Sequence, residues 1–519
     1  MNIIIPMAGN SSRFYAAGYL EPKALLPVGD CKMIEHVINM FDPNICKYHI
    51  VVNSEQLAAY PNLKKTLKQL ATNIKIVVIE KHGLGPVHSA LQVKGLRSDE
   101  EIIVSYCDFF VQWNYPLFLR QVYGQDGCVV SFRGFHPASF GDTHYAYMKV
   151  DNNQMIELQE KKSFTNERSS EHASTGIYYF KKYSIFKKYS TKLLEEGSTN
   201  LPEAYVSLLF NDMVADGLSV SVYDVNKFIC LGTPDDYEQY QFWWKYFSSN
   251  QQNFSGKKKC IKKIGLIPMA GKGSRFLEYG YRVAKPLIQV NGSPMIFSTL
   301  NSMPEQDQWI FLPRQEDLDR HPIEKALLSF SEQSVIFGVR KTTTGQAATC
   351  LLAEDMIDDD SELIIASADY EHRYNPELWQ SIIENDEIDG AIWTYRSRSM
   401  VLKNPEMFAY CKVKEDGFSI HEVVEKSTIS NTPNLDPLVV GTFWFRRAKD
   451  FKLAANNLIE KDIRINGEHC IGTSINFLLK NGKKFVIFDI SQWISFGDPF
   501  ELKILEYWQD VFHKEGVSH

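Results

Sequence analysis

The chain is written twice. Residues 3 to 34 read IIIPMAGNSSRFYAAGYLEPKALLPVGDCKMI, and residues 265 to 296 read GLIPMAGKGSRFLEYGYRVAKPLIQVNGSPMI. Aligned without gaps at an offset of 262, the two windows agree at 15 of 32 positions. The echo runs on. Asp108 in IIVSYCDFF answers Asp369 in LIIASADYE, and Glu160-Lys161, Gly176, Glu203 and Gly232 answer Glu425-Lys426, Gly441, Glu468 and Gly497. A period of this length is a whole domain rather than a solenoid unit, so the chain has to fold as two copies of one domain. The reading is 1–247 for the first domain and 263–519 for the second. Between them 248–262 is polar and rich in Ser, Gly and Lys, as a linker is.

Each copy alternates short apolar β-branched runs with helix-like stretches. In the first copy the runs are Ile3 to Ile5, His49 to Val52, Ile74 to Ile79 and Glu101 to Ser105, with helices expected over Met33 to Phe41 and Val87 to Val93. The second copy repeats them as Leu266-Ile267, Trp309 to Leu312, Val335 to Val339 and Leu363 to Ala366. Continuous apolar strands between helices predict an α/β domain whose sheet is mostly parallel and covered on both faces. Ligands bind such sheets beyond the carboxyl ends of the strands.

Composition narrows the partners. With 56 basic and 63 acidic side chains the net charge is −7, the wrong sign for a general nucleic-acid binder. Met1 to Gly9 is apolar but short and has no basic lead-in, so no export signal is expected. Ile102 to Leu119 is interrupted by Asp108, Gln112 and Asn114, so no membrane span is expected there. The nine cysteines form no CxxC pair, and a cytoplasmic protein with reduced thiols is the expectation.

In both copies the first strand runs into Pro-Met-Ala-Gly and then Ser-Arg-Phe. Small residues let a backbone approach a ligand closely, and successive N–H groups can cradle an anion. Arg13 and Arg275 follow as phosphate-binding forks, with Lys23 and Lys285 ten residues further on. No GK[ST] ending is present, so this is not a Walker loop, and a tight turn with a surface arginine would read the same way in a single copy. Asp108 and Asp369 each follow a buried run at its carboxyl end. Such an aspartate either caps a turn or supplies an oxygen ligand to Mg²⁺, which takes one or two carboxylates plus substrate phosphates.

The full strings, PMAGNSSRF with GYLEPKALLPV and PMAGKGSRF with GYRVAKPLIQV, resemble the sugar-nucleotidyltransferase family of nucleoside-diphosphate-sugar pyrophosphorylases and cytidylyltransferases. The likeness covers nearly all of both halves. It implies two tandem Rossmann-like domains of the glycosyltransferase-A kind. It also implies nucleotide binding by Ala8, Gly9, Ser11 and Gly85, and by Ala270, Gly271, Gly273 and Gly345. Arg13, Lys23, Arg275 and Lys285 would be catalytic, and Asp108 and Asp369 would hold Mg²⁺. Glu160, Lys161 and Gly176, with Glu425, Lys426 and Gly441, would bind the acceptor, the lysine at its phosphate and the glutamate at its hydroxyls.

Three departures stand out. Ser11 replaces the second loop glycine that the second copy keeps as Gly273, and Ala284 replaces Pro22. The family's second metal aspartate, two residues before a late Gly-Thr-Pro, is Cys230 in one copy and Ser495 in the other. Asp235, Asp236 or Asp498 then substitutes, or one carboxylate suffices.

The expected activity joins a nucleoside triphosphate to a phosphorylated small-molecule acceptor, a sugar 1-phosphate first, with release of pyrophosphate and formation of a surface-glycan precursor. Rival readings are one catalytic copy beside a degenerate scaffolding copy, and a cytidylyltransferase for a phosphorylated polyol or choline. Nothing in the sequence opposes an oligomer.

Overall fold

A computed structural model describes residues 1–43, 45–141, 143–196, 203–248, 261–397 and 404–514. The chain divides into two compact units, Met1–Lys245 and Tyr246–His519. Most of the expected linker, 249 to 260, lies outside the described residues.

Seven strands make the central run of the nine-stranded sheet of unit 1: β1 (Asn2–Pro6), β2 (Lys47–Asn53), β3 (Ile74–Ile79), β4 (Ile102–Ser105), β5 (Gly127–Phe132), β6 (His172–Phe180) and β7 (Val220–Asp224). They lie in the order β3-β2-β1-β4-β6-β5-β7. Six run the same way, and β6 alone runs against them. Ile3, Ile4 and Ile5 are all fully buried. Successive side chains of a strand face opposite ways, so both faces of the sheet are covered there. Each such side chain contributes roughly 1.5–3 kcal/mol by leaving water.

Unit 2 repeats the plan with β8 (Lys263–Met269), β9 (Gln308–Pro313), β10 (Val335–Ile336), β11 (Glu362–Ala366), β12 (Gly390–Tyr395), β13 (Leu438–Phe445) and β14 (Phe485–Asp489). The order is β10-β9-β8-β11-β13-β12-β14, with β13 antiparallel. The mostly parallel α/β sheet read from the sequence is therefore the architecture of both units. One run is shorter than expected. The strand over Val335 to Val339 stops at Ile336 and resumes only as a bridge from Val339 to Arg314. Gly338 packs its backbone against Gln315 between them, and a strand glycine commonly marks such a close approach.

A hairpin paired onto each sheet completes its nine strands and carries the Glu-Lys pair at its end. It is Ala146–Asp151 with Gln154–Glu160 in unit 1, and Ala409–Val413 with Ile420–Glu425 in unit 2. The loops after β1 and β4 open at the same end of the sheet, where the strand order reverses and α/β folds bind ligands. Among the described residues no helix is long and apolar enough to cross a membrane.

Candidate active site

In unit 1 the residues expected to bind nucleotide, acceptor and metal line one cleft of about 470 Å³, Ala8, Gly9, Ser11, Arg13, Lys23, Gly85, Asp108, Glu160, Lys161 and Gly176, whereas Asp235 and Asp236 stand outside its lining. The loop after β1 is held from behind. The Asn53 amide donates to the Ala8 carbonyl at 2.8 Å, and Gln56 Nε2 donates to the carbonyls of Met7 (3.1 Å) and Gly9 (2.8 Å). At Gly9 and Gly271 an added Cβ would meet nothing, so both glycines face open space where a ligand can approach the backbone.

Ser11 sits in the left-handed region at φ 52° and ends the loop, opening the helix Ser12–Ala16. Gly273 does the same at φ 61° without the Cβ penalty. Ser11 recovers part of that cost, since its Oγ accepts from the Lys23 backbone N–H at 3.3 Å.

Lys23 Nζ donates to Asp108 Oδ2 at 2.5 Å, both side chains mostly buried, and Lys285 does the same to Asp369 at 2.5 Å. Burial alone would raise the Asp108 carboxyl. The Lys23 charge and hydrogen bond, with Arg13 adding, outweigh it and hold Asp108 below the ordinary carboxylate range. Burial would likewise lower Lys23, but Asp108 keeps it above the ordinary lysine value. Both stay ionised at neutral pH.

Two glycines are fixed by packing. Gly85 (φ 92°) opens the helix Pro86–Leu91, and a Cβ there would lie 2.7 Å from the Ala204 backbone nitrogen. Gly345 (φ 133°) packs equally close on the His469 backbone. Gly176 (φ 100°) and Gly441 (φ 81°) sit where β6 and β13 slip register, each against the residues that precede or follow the site aspartate.

Lys161 and Lys426 adopt φ 61° and φ 54°, a strained setting for a lysine, and each donates its ammonium to a backbone carbonyl, of His144 (3.0 Å) and Met407 (2.9 Å). Burial raises the carboxyls of both Glu160 and Glu425.

Unit 2 has a smaller cavity of about 290 Å³. Gly271, Gly273, Arg275, Lys285 and Asp369 line it, whereas Ala270, Gly345, Glu425, Lys426 and Gly441 stand outside that lining. Its arginine is also engaged, with Arg275 Nη1 at 3.3 Å from Asp498 Oδ2.

The candidate second carboxylates have other work. Thr233 opens the helix Pro234–Ser248, and its N–H (3.1 Å) and hydroxyl (2.6 Å) donate to Asp236, while Asp235 is exposed. Asp498 accepts from the N–H groups of Phe500 and Glu501 in the same way. Among the described residues no cluster of three His, Cys, Asp or Glu side chains could cage a metal. One carboxylate per half, completed by phosphate oxygens, does fit a Mg²⁺ that arrives with its nucleotide.

Sequence reading missed several cleft residues. Gln56 was legible as the third helical residue of an Asn53-x-x-Gln56 capping box after a strand. His82 accepts the Leu84 N–H at Nδ1 (3.1 Å) and meets Ser89 Oγ through Nε2 (2.9 Å). Tyr106, Tyr178 and Tyr205 carry no local signal, since each is brought in by the sheet or by a long connection.

Residues 3–161 match the family described as MobA-like NTP transferase domain, and residues 264–513 match the family described as Nucleotidyl transferase. A curated relative, the Bifunctional protein GlmU of Methanococcus maripaludis (strain C7), is 24% identical over 212 residues, covering 41% of this chain and 47% of that protein. Its namesake in Methanocaldococcus jannaschii is 24% identical over 225 residues, covering 43% and 50%. The chain thus spans about half the length of the curated relatives it matches. Among solved structures, a nucleoside-diphosphate-sugar pyrophosphorylase from Vibrio cholerae RC9 is 22% identical with a TM-score of 0.39, covering 46% of this chain and 98% of that one. The inositol-1-phosphate CTP transferase from T. maritima is 15% identical with a TM-score of 0.39, covering 50% and 99%. With both halves matched and one strand order repeated in each, the chain belongs to the sugar-nucleotidyltransferase family, as two nucleotidyltransferase domains in tandem.

Proposed function

We propose that each half transfers a nucleotidyl group from a nucleoside triphosphate to a phosphorylated acceptor, a sugar 1-phosphate or a close analogue, in the cytoplasm. The observation that carries this reading is the pairing of Lys23 with Asp108 and of Lys285 with Asp369, beside an arginine and an open glycine loop. An acceptor phosphate oxygen attacks the α-phosphorus in line, the bond from that phosphorus to the bridging oxygen breaks, and pyrophosphate leaves. Such transfer needs positioning and charge neutralisation more than a covalent nucleophile.

The loop N–H groups and Arg13 receive the triphosphate tail. Lys23 turns from Asp108 toward the α-phosphate as negative charge builds there. Lys161 takes the acceptor phosphate, and Glu160 orients acceptor hydroxyls. Asp108 and Asp369 would hold Mg²⁺, which supplies charge neutralisation to the triphosphate when bound. The product would serve as a precursor for a surface polysaccharide or similar glycan.

The test mixes the full chain with each of the common triphosphates and a panel of phosphorylated sugars, polyols and amino alcohols, reading pyrophosphate. Release that needs both substrates and stops with chelator is expected. No release from any pair overturns the reading, and an unchanged rate with chelator overturns the metal's part in it.

A further inference from the structure

Asn53 and Gln56 each use their two amide atoms for different ends. Asn53 ends β2 and caps the helix Ser54–Ala59. Its side-chain oxygen accepts the Gln56 N–H (2.8 Å), and the Gln56 oxygen accepts the Asn53 N–H (3.1 Å). The amide nitrogens turn the other way, onto the carbonyls of Met7, Ala8 and Gly9. A trans peptide is planar, so its C=O and the following N–H point in opposite directions. Three pinned carbonyls therefore aim three N–H groups, those of Ala8, Gly9 and Asn10, away from the pins. All three residues line the cleft, and among the described residues none of these N–H groups meets an acceptor.

The matching positions in unit 2 are differently filled. Pro6 lies opposite Val51, and its counterpart Pro268 lies opposite Leu312, so Arg314 answers Asn53 and Asp317 answers Gln56. Arg314 opens the helix Gln315–Arg320 without a side-chain cap, and its guanidinium turns to Glu316 and, at 3.9 Å, to Asp317. A carboxylate at 317 can only accept. Among the described residues no side chain donates to the carbonyl of Met269, Ala270 or Gly271. The same three peptides are held from behind by side chains in one half only.

On the reading of the loop after β1 as the seat of a triphosphate, we propose that Asn53 and Gln56 are positioning residues of unit 1. They fix the loop's N–H groups before the triphosphate arrives, and unit 2 works without that support. Neither amide needs to touch the ligand, because each acts through the peptide it holds. A cradle already in place leaves less ordering to be done on binding. Rotation of any one of the three peptides would replace an N–H with a carbonyl oxygen facing phosphate, and successive N–H groups are what make such a concavity attract an anion.

The test uses the full chain in two forms, Lys285→Ala to report on unit 1 and Lys23→Ala to report on unit 2. Each is titrated calorimetrically with inorganic tripolyphosphate, which carries the charge of the tail without base or sugar. In the unit 1 reporter, Gln56→Glu keeps the oxygen that caps the Asn53 N–H and loses both donations to the loop. Gln56→Met loses them without adding charge. Each should weaken tripolyphosphate about tenfold for the two hydrogen bonds lost. Asn53→Ser, whose hydroxyl still caps the helix, should weaken it about threefold. Turnover of CTP, UTP, GTP or ATP with glucose 1-phosphate should show the same rise in triphosphate KM with kcat nearly unchanged. Gln56→Glu should melt with its parent, because the cap survives. In the unit 2 reporter, Asp317→Asn should leave tripolyphosphate affinity within about twofold. Unmoved affinity in Gln56→Glu or Gln56→Met, an equal loss from Asp317→Asn, or a melting point that falls with affinity in all three unit 1 variants overturns the proposal. Weakened tripolyphosphate binding in those variants, with no pyrophosphate from the parent chain and any acceptor, leaves the brace standing and overturns the nucleotidyltransferase reading beneath it.

Discussion

Around the first strand the two units keep one geometry. Lys23 and Lys285 each reach their aspartate at 2.5 Å, the loops end in left-handed residues at φ 52° and 61°, and Gly9 and Gly271 both face open space. Away from that loop they diverge. Ser207 holds Glu160 where Glu425 lies against Gly472, and Arg275 is engaged by Asp498 where the first copy has Thr233. On the proposed reading, the duplicated domain has kept the first-strand loop and its lysine–aspartate pair, assigned to the triphosphate, and changed the surroundings of the Glu-Lys element, assigned to the acceptor. This is the pattern expected when chemistry is kept and specificity is altered.

The comparison breaks most visibly at the lysines. Lys23→Ala and Lys285→Ala should each cut turnover in their own half by on the order of a hundredfold or more, about 3 kcal/mol, with circular dichroism unchanged. A strong loss in one half and none in the other would show that the shared ion pair does not mark a shared mechanism.

Next come the packed glycines. Gly85→Ala and Gly345→Ala both force a Cβ onto backbone at a positive φ, so each should destabilise its unit by about 2 kcal/mol, several degrees in calorimetry. Equal losses would confirm one loop geometry in both halves.

Glu160→Gln and Glu425→Gln sharpen the acceptor-end difference. Burial holds both carboxyls above their ordinary value in the folded chain. Below the unfolded value both states are protonated and nothing is lost. As pH rises through the folded value, the buried charge costs stability, and that cost persists at neutral pH. The glutamine variants should therefore melt higher than the parent at pH 7, by about 1 kcal/mol or less, with the gain fading toward pH 4. The two gains should be similar, because the Ser207 hydroxyl stabilises the Glu160 charge and the Thr473 N–H stabilises the Glu425 charge.

Smallest is the exchange at the loop end. Ser11→Gly relieves left-handed strain but gives up the bond to the Lys23 N–H, so urea unfolding should move by less than about 1 kcal/mol. A larger shift would mean that serine was selected for something other than tolerance.

Much of this is legible in the sequence. The repeat located both units, and Ile3 to Ile5 and Ile102 to Val104, buried on both faces, announced interior strands. Gly9, Arg13, Lys23 and Asp108 were visible because each lies within or just after a strand-end motif. Tyr178 was not, because its place in the cleft follows from an antiparallel strand crossing between β4 and β5, a pairing that no local pattern encodes. Asp236 and Asp498 could not be judged either. Whether an acidic residue at a helix start faces a cation or its own backbone depends on a few ångströms of capping geometry, and here the backbone has the prior hold on both.

The lysine–aspartate pairs have a consequence for how the two halves respond to ionic strength. With each lysine already matched by a carboxylate, a triphosphate bound as proposed would exchange one anionic partner for another, and few small counterions would be released. Added salt should then weaken binding less than the number of cations in each cleft would suggest. Arg13 is exposed and among the described residues has no carboxylate at ion-pair distance, so it carries a screened attraction that Arg275, already neutralised by Asp498, does not. The relative output of the two halves would consequently drift with the salt of the medium, unit 1 falling faster. A salt titration of the Lys285→Ala and Lys23→Ala chains reads that drift directly.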